Sequence, residues 1–332
     1  MLWILCSGAL SFIRRMGERV MSQPKVKSSR VGTFLTQVKK NRQIYFLLIF
    51  GIIWYVVFAY FPMYGLTLAF KQYRAVDGIL GSPWVGTQVF EYVFRDPAFF
   101  EAVYRTLWIN IGRMIFQFPI PVILALLLNE VRLGRSKKVL QSVFTFPHFL
   151  SWIIVSSIML NVLGSQGIFN SFIKLFGGEP VSIIGNSDVF VPLLYITENW
   201  KSAGWSAIIY MASIAGIDQE QYEAAEIDGA SRFQRMIHIT LPGIQVTVTV
   251  MFILAAGNLM TAGFDQVFNL SNPATSKVAE TLDMYIYRIT FKSASDFSFS
   301  TAVSLFKSVI NCFLLIVSDR VSKRFGGSGL FG

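Results

Sequence analysis

The chain has 332 residues, 53% of them hydrophobic and only 14% charged, with a mean hydropathy of +0.53. That balance is too apolar for a water-soluble globular domain and matches a protein whose helices lie in lipid. The net charge of +10 reflects where basic residues flank the apolar runs and calls for no nucleic-acid partner.

Residues 1–43 read as a basic cytoplasmic segment, in which nine Lys or Arg stand against one acid. Met1 to Ile13 is apolar but precedes Arg14 and Arg15, the reverse of a secretory signal. Cys6 lacks the small residue expected just before a lipidated cysteine, so a lipoprotein anchor is rejected. A mis-assigned start, with initiation near Met16 or Met21, stands beside a genuine extra segment as an explanation. Cys6 and Cys312 are too few and too scattered for a disulfide framework or a metal site.

Residues 44–318 are read as an all-α integral membrane domain of about six transmembrane helices. Runs 44–70, 139–173 and 236–264 contain no Asp, Glu, Lys or Arg, and each exceeds the roughly 20 residues that cross a hydrocarbon core. Weaker spans are 103–129 with Arg105 and Arg113, 189–216 with Glu198 and Lys201, and 299–318 with Lys307. The basic loop at 130–138, holding Arg132, Arg135, Lys137 and Lys138, is expected on the cytoplasmic side. The tail 319–332, with Arg320, Lys323 and Arg324, is expected there too, so both termini are cytoplasmic. The external loops, about 71–102, 165–188 and 266–298, show no basic excess.

Between the fourth and fifth runs lies a polar helical hairpin, 218–242. Asp218 with Gln221 reads as a capping box, Gly229 as a helix stop, and Ser231 with Gln234 as a second start that Pro242 closes. Glu220, Glu223, Glu226 and Asp228 make it net acidic on a side where basic loops are the rule, which is explained if the acids meet a basic partner surface. No phosphate-cradling glycine loop, His-Glu-x-x-His helix or Cys-x-x-Cys pair is present, and His148 and His238 are the two histidines. No catalysis, cofactor or metal is therefore expected. Work on a solute would draw on a gradient or on another subunit, and the hairpin favours the subunit.

Glu198 and Lys201 lie three apart inside a span, so they share a helix face and could pair. Charges at that depth usually face a bundle interior or a water-filled cavity. With Asn199, Trp200, Ser202 and Trp205 around them they offer rings and hydrogen-bonding groups of the kind a sugar needs. Against this, Trp152 and Trp200 also suit an interfacial belt, His148 after Pro147 suits repair of a broken helix, and Asn258 suits helix-to-helix hydrogen bonding.

The run Glu223-Ala224-Ala225, then Gly229, then Ile239-x-Leu241-Pro242 resembles the EAA loop of permease subunits of binding-protein-dependent ABC importers. Phe61-Pro62-Met63-Tyr64-Gly65, Phe146 to Trp152, Gly204-Trp205, Tyr222 and Gly263 to Phe268 are similar to the polysaccharide-type carbohydrate permeases, relatives of the larger maltose permease subunit. The similarity runs from about residue 40 onward. It implies a type I ABC importer fold in a bacterial plasma membrane, bringing in an oligosaccharide or polysaccharide fragment. Partners implied are a second homologous permease, two ATPase subunits and an extracytoplasmic solute-binding (lipo)protein. Glu223, Ala224, Ala225, Asp228 and Gly229 would enter the ATPase cleft. Glu198, Lys201, Ser202 and Trp205 fall on places that line the sugar site of maltose-type permeases, as do His148 and Trp152, with Asn258 within a residue of such a place. Of the first four only Trp205 keeps its side-chain type, so a ligand other than maltose is implied. Lys307 would reach an interface or pair with the partner permease. Competing readings are a permease for a non-carbohydrate solute, and a sensor or scaffold that recruits a cytoplasmic protein.

Overall fold

The computed structural model describes residues 40–131, 134–293 and 296–324. The expectations on residues 1–39, on Arg132 and on 325–332 fall outside the described residues. Among the described residues, those up to Tyr64 belong to one compact unit and those from Gly65 to a second. In the first, helix α1 (Arg42–Tyr55) runs into a wide turn at Val56–Tyr60. Ile44, Phe46, Phe50, Trp54 and Phe58 are all exposed, a surface that only lipid or protein can cover without cost.

In the second unit the regular elements among the described residues are helices, apart from an isolated bridge between Lys71 and Trp84. Helices α2 (Pro97–Phe116) and α3 (Pro119–Asn129) are separated at Gln117–Phe118. Asp96 caps α2, its carboxylate accepting from the Ala98 amide at 2.9 Å and from the Tyr285 hydroxyl at 2.5 Å. Then come α4 (Gly134–Thr145), α5 (Trp152–Leu163), α6 (Ser187–Ala215) and α7 (Gln219–Ile227). The chain ends in α8 (Gln245–Gly257), α9 (Phe264–Leu270) and α10 (Phe297–Arg324).

Three apolar clusters hold these elements. Phe99, Ala102, Tyr285, Ala302 and Val303 join α2 to α10 through the 282–287 helix. Val122, Ala125 and Leu126 of α3 meet Ala207, Tyr210 and Ile214 of α6. Ile109, Phe190, Leu194, Val267 and Leu270 join α2, α6 and α9.

Four helical stretches are long and apolar enough to cross a membrane: Arg42–Phe70, Pro97–Asn129, Trp152–Leu175 and Phe297–Arg324. A fifth is reached if Arg232–Gly243 and Gln245–Gly257, bent by 59°, are one span. The remaining expected span, 189–216, coincides up to Ala215 with the single 29-residue helix α6. At about 1.5 Å per residue that helix is long enough for a bilayer, but Glu198, Asn199, Lys201 and Ser202 lower its apolarity. Of these, Glu198, Asn199 and Ser202 face a cavity and Lys201 faces the break between α4 and α5.

Two sequence expectations need correction. The 139–173 run is not one helix: it breaks at Phe146–Ser151, and α5 begins only at Trp152. Pro147 has no N–H to continue α4, and Ser151 starts a new helix by accepting from the Ile154 amide at 3.4 Å. Asp218 caps α7 through the Glu220 amide at 3.0 Å rather than by a reciprocal box with Gln221. The second hairpin helix closes one residue past Pro242, at Gly243, where the chain bends by 59° into α8, and a widened turn at Met236–Thr240 makes room ahead of the ring.

Candidate functional site

A cavity of about 500 Å³, with polar side chains set into a largely apolar lining, opens between α2, α6 and α8. Asn110 and Arg113 reach it from α2, Glu198, Asn199, Ser202 and Ser206 from α6, and Asn258 with Thr261 from the end of α8. On α6 these positions recur three or four residues apart, so one face of the helix is polar along the cavity. The Ser202 hydroxyl donates to the Glu198 carboxylate at 2.7 Å. Asn258 bonds its own helix, donating to the Leu254 carbonyl at 2.9 Å.

The wall opposite α6 is an unwound stretch, Asn258–Gly263, and its freed backbone groups are served by side chains. Asn110 Nδ2 donates to the Leu259 carbonyl at 2.7 Å, and Asn311 Oδ1 accepts from the Met260 amide at 3.0 Å. Asp283 Oδ2 accepts from the Ala262 amide at 3.3 Å while its other oxygen pairs with Lys307. Unwound backbone at membrane depth persists only with such partners. Gly263, at φ +70°, turns the chain into α9. One turn later Gln266, 1% exposed, accepts from Arg113 Nη2 at 2.5 Å and donates to the Leu194 carbonyl at 2.7 Å.

The seven residues singled out from sequence divide between two faces of α6. Glu198, Ser202 and Asn258 line the cavity. His148, Trp152, Lys201 and Trp205 gather instead at the break between α4 and α5. There the His148 ring stacks on Trp205, centroids 4.6 Å apart and planes at 2°. Lys201 Nζ donates to the His148 carbonyl at 2.7 Å and sits 5.6 Å from the Trp152 ring centroid. Gly204 permits this approach, since a Cβ there would stand 2.1 Å from the Phe144 carbonyl oxygen. Glu198 and Lys201 therefore do not pair: the broken helix supplies the lysine with a carbonyl, and Ser202 supplies the carboxylate with a donor. Lys307 pairs with Asp283 of its own chain rather than being left for a partner. Sequence reasoning noted Arg113 only as a charge near the start of a span and Gln266 only as part of a motif. Nothing in the sequence marked Asp283.

From Glu198 to Ala215, α6 extends a further 26 Å or so at 1.5 Å per residue, and the hairpin follows directly. Gly229, at φ +78°, ends α7 with a two-bond cap: the Ala230 amide donates to the Ala225 carbonyl at 2.9 Å, and the Gly229 amide to the Glu226 carbonyl at 3.1 Å. Ser231 and Gln234 form the reciprocal box that sequence predicts. Arg235 bridges back to Glu226 at 2.7 Å, and the Tyr222 hydroxyl shares a 2.9 Å hydrogen bond with Thr240. Glu223, Ala224, Asp228 and Gly229 are exposed and Ala225 is half-buried. Beside them Ile227 is 88% and Phe233 66% exposed, an apolar pair at the tip of a polar hairpin. Glu223 and Glu226 also border a polar cleft of about 400 Å³ with Asn129, Glu130 and Arg235.

Broken membrane helices around a cavity that carries polar side chains, together with a cross-braced hairpin that follows directly from α6, define a solute permease. The chain belongs to the family described as binding-protein-dependent transport system inner membrane component, whose model matches residues 117–327. It is an inner-membrane transport subunit and not an enzyme. It is 39% identical over 306 residues to the polygalacturonan/rhamnogalacturonan transport system permease protein YteP of Bacillus subtilis, covering 92% of this chain and 95% of that one. Among solved structures it is similar, at 31% identity and a TM-score of 0.79, to a chain of a bacterial ABC transporter involved in the import of the acidic polysaccharide alginate. That match covers 88% of this chain and 99% of the other. A chain of the bacterial alginate ABC transporter in complex with an alginate pentasaccharide-bound periplasmic protein matches equally well, at 31% identity and a TM-score of 0.79 over 89% and 99% of the two chains. The all-α permease fold expected from sequence is the fold observed.

Proposed function

We propose that this chain is one permease subunit of an ABC importer that carries an acidic oligosaccharide inward, driven through hairpin 218–242 by ATP hydrolysis on partner subunits. The observation that carries this reading is the continuity of α6, which bears Glu198 and Ser202 at the cavity and leads through Gly216 and Ile217 into the braced hairpin. A displacement of the hairpin is then delivered to the cavity wall as a rigid-body movement, rocking the bundle between inward-open and outward-open states. Glu223, Ala224, Ala225, Asp228 and Gly229, with Ile227 and Phe233, form the face that meets an ATPase subunit. Glu198, Ser202 and Asn258 contact the passing sugar, and the His148–Trp205 and Lys201 contacts hold the pathway helices in register.

Supporting the cargo class, one relative is named for polygalacturonan and rhamnogalacturonan and another for the acidic polysaccharide alginate. The assembly comprises this chain, a second homologous permease, two ATPase subunits and an extracytoplasmic binding protein. Residues 44–318 form the membrane domain between cytoplasmic segments 1–43 and 319–332, an orientation supported by the basic loops. The test is ATPase activity of the complete reconstituted complex with its sugar-loaded binding protein, across neutral and acidic oligosaccharides. Stimulation by acidic sugars is expected. A flat response from an assembled, ATP-competent complex overturns the reading in favour of a sensor or scaffold, and stimulation by neutral sugars alone removes the acidic cargo.

A further inference from the structure

Two charged residues line the cavity, Arg113 and Glu198, and they are not paired with one another: among the described residues no carboxylate lies within ion-pair distance of Arg113. Elsewhere in the bundle the contrast is plain, since Lys307 meets Asp283. The Arg113 guanidinium is held by neutral amides. Nη2 donates to Gln266 Oε1 at 2.5 Å, Nη1 makes a long 3.4 Å contact with Asn110 Oδ1, and Nε has no partner. Those amides are themselves anchored, Gln266 Nε2 to the Leu194 carbonyl and Thr197 Oγ1, and Asn110 Nδ2 to the Leu259 carbonyl.

A cation fixed in position at membrane depth, with guanidinium donors to spare and only Glu198 across the cavity as a distant counter-charge, is costly unless a ligand or water completes it. A guanidinium fork suits a carboxylate better than any neutral sugar group, because two parallel charge-assisted bonds form at once. Glu198 across the cavity supplies the complementary need, since an ionised carboxylate accepts hydrogen bonds from hydroxyls. A uronate ring carries both groups, one carboxylate and several hydroxyls.

We propose that Arg113 is the charge-selecting residue of the pathway, taking the carboxylate of a uronate unit while Glu198 accepts from its hydroxyls. The proposal rests on the reading of this cavity as the solute pathway. Its test is uptake by the complete transporter, in proteoliposomes with binding protein, of trigalacturonate and of its fully methyl-esterified, neutral form. Wild type carries the acid in preference to the ester. R113Q lowers the acid-to-ester ratio at least about tenfold, the scale of a lost hydrogen bond to a charged group. R113K, a point charge without the fork, falls between.

A wild-type complex that carries the ester as fast as the acid, or carries neither, overturns the proposal. So does an R113Q complex that loses both uptakes in equal proportion, the behaviour of a latch that merely holds Gln266 and the unwound segment. S202W, which places an indole in the cavity, separates the two levels of the argument. Uptake undiminished in S202W removes the pathway reading itself. Uptake abolished in S202W with an unchanged ratio in R113Q removes only the role of Arg113.

Discussion

Replacing Gly204 by alanine adds one methyl group at the place where α6 lies against the end of α4. The new Cβ would stand 2.1 Å from the Phe144 carbonyl oxygen, 2.3 Å from its carbon and 2.8 Å from the Thr145 nitrogen. All three are backbone atoms, so no rotamer change relieves the clash and the two segments must part by roughly 1 Å to reach ordinary contact. That movement carries the Lys201 bond to the His148 carbonyl from 2.7 Å beyond hydrogen-bonding range and loosens the His148–Trp205 stack. Overpacking costs about 1–3 kcal/mol and a lost charge-assisted bond about 1.5–3 kcal/mol, so a loss of about 3 kcal/mol or more is expected. Thermal unfolding of the detergent-solubilised protein reads it as a Tm lower by several degrees. Gly112→Ala is the informative control: its Cβ would meet the Tyr195 hydroxyl at 1.9 Å and the ring carbon bearing it at 2.6 Å, the far end of a side chain rather than backbone. The ring swings aside and forfeits its 3.1 Å bond to the Ile109 carbonyl, a cost nearer 1 kcal/mol. A G204A protein with the wild-type Tm, or one no less stable than G112A, would refute the close packing of α6 on the broken helix.

Other expectations concern the ion pair and the hairpin. Lys307→Met strands Asp283 in a largely buried site and should cost about 3–5 kcal/mol, while Asp283→Asn with Lys307→Met recovers most of it; a double variant as unstable as the single one contradicts the pairing. Gly229→Val has open space around its Cβ but must hold φ +78°, a strain of about 1–2 kcal/mol, and is expected to impair uptake while ATP hydrolysis continues. Glu223→Arg reverses a charge on the docking face, so uptake assays should show the same uncoupling with normal membrane levels. Phe233→Asp removes an exposed apolar contact, and loss of co-purifying ATPase subunit is the expected readout; retention at wild-type stoichiometry counts against the tip as a docking surface.

How much was legible follows from the range over which each interaction acts. Hydropathy runs and the hairpin are local properties. Ser231 with Gln234 writes its own cap three residues apart, and Gly229 is the residue type that takes φ +78° without strain. Pro147 and Pro242 carry the same local signal but end their helices differently. Ser151 was ready to start a new helix after Pro147, whereas the widened turn before Pro242 absorbed the ring. Glu198 and Lys201 share a helix face in sequence, but partners 53 residues away for one and four for the other decide where they point.

Composition and spacing alone thus determined an all-helical membrane protein with a polar hairpin that turns at a glycine, because apolar length and capping depend on neighbours along the chain. Only the tertiary structure decided that Arg113 meets Gln266 across 153 positions, that Asp283 rather than a partner subunit takes Lys307, and that α6 turns Glu198 to a cavity and Lys201 to a broken helix. A buried polar group takes whichever partner the packed helices bring within about 3 Å, and that partner has no fixed separation in sequence.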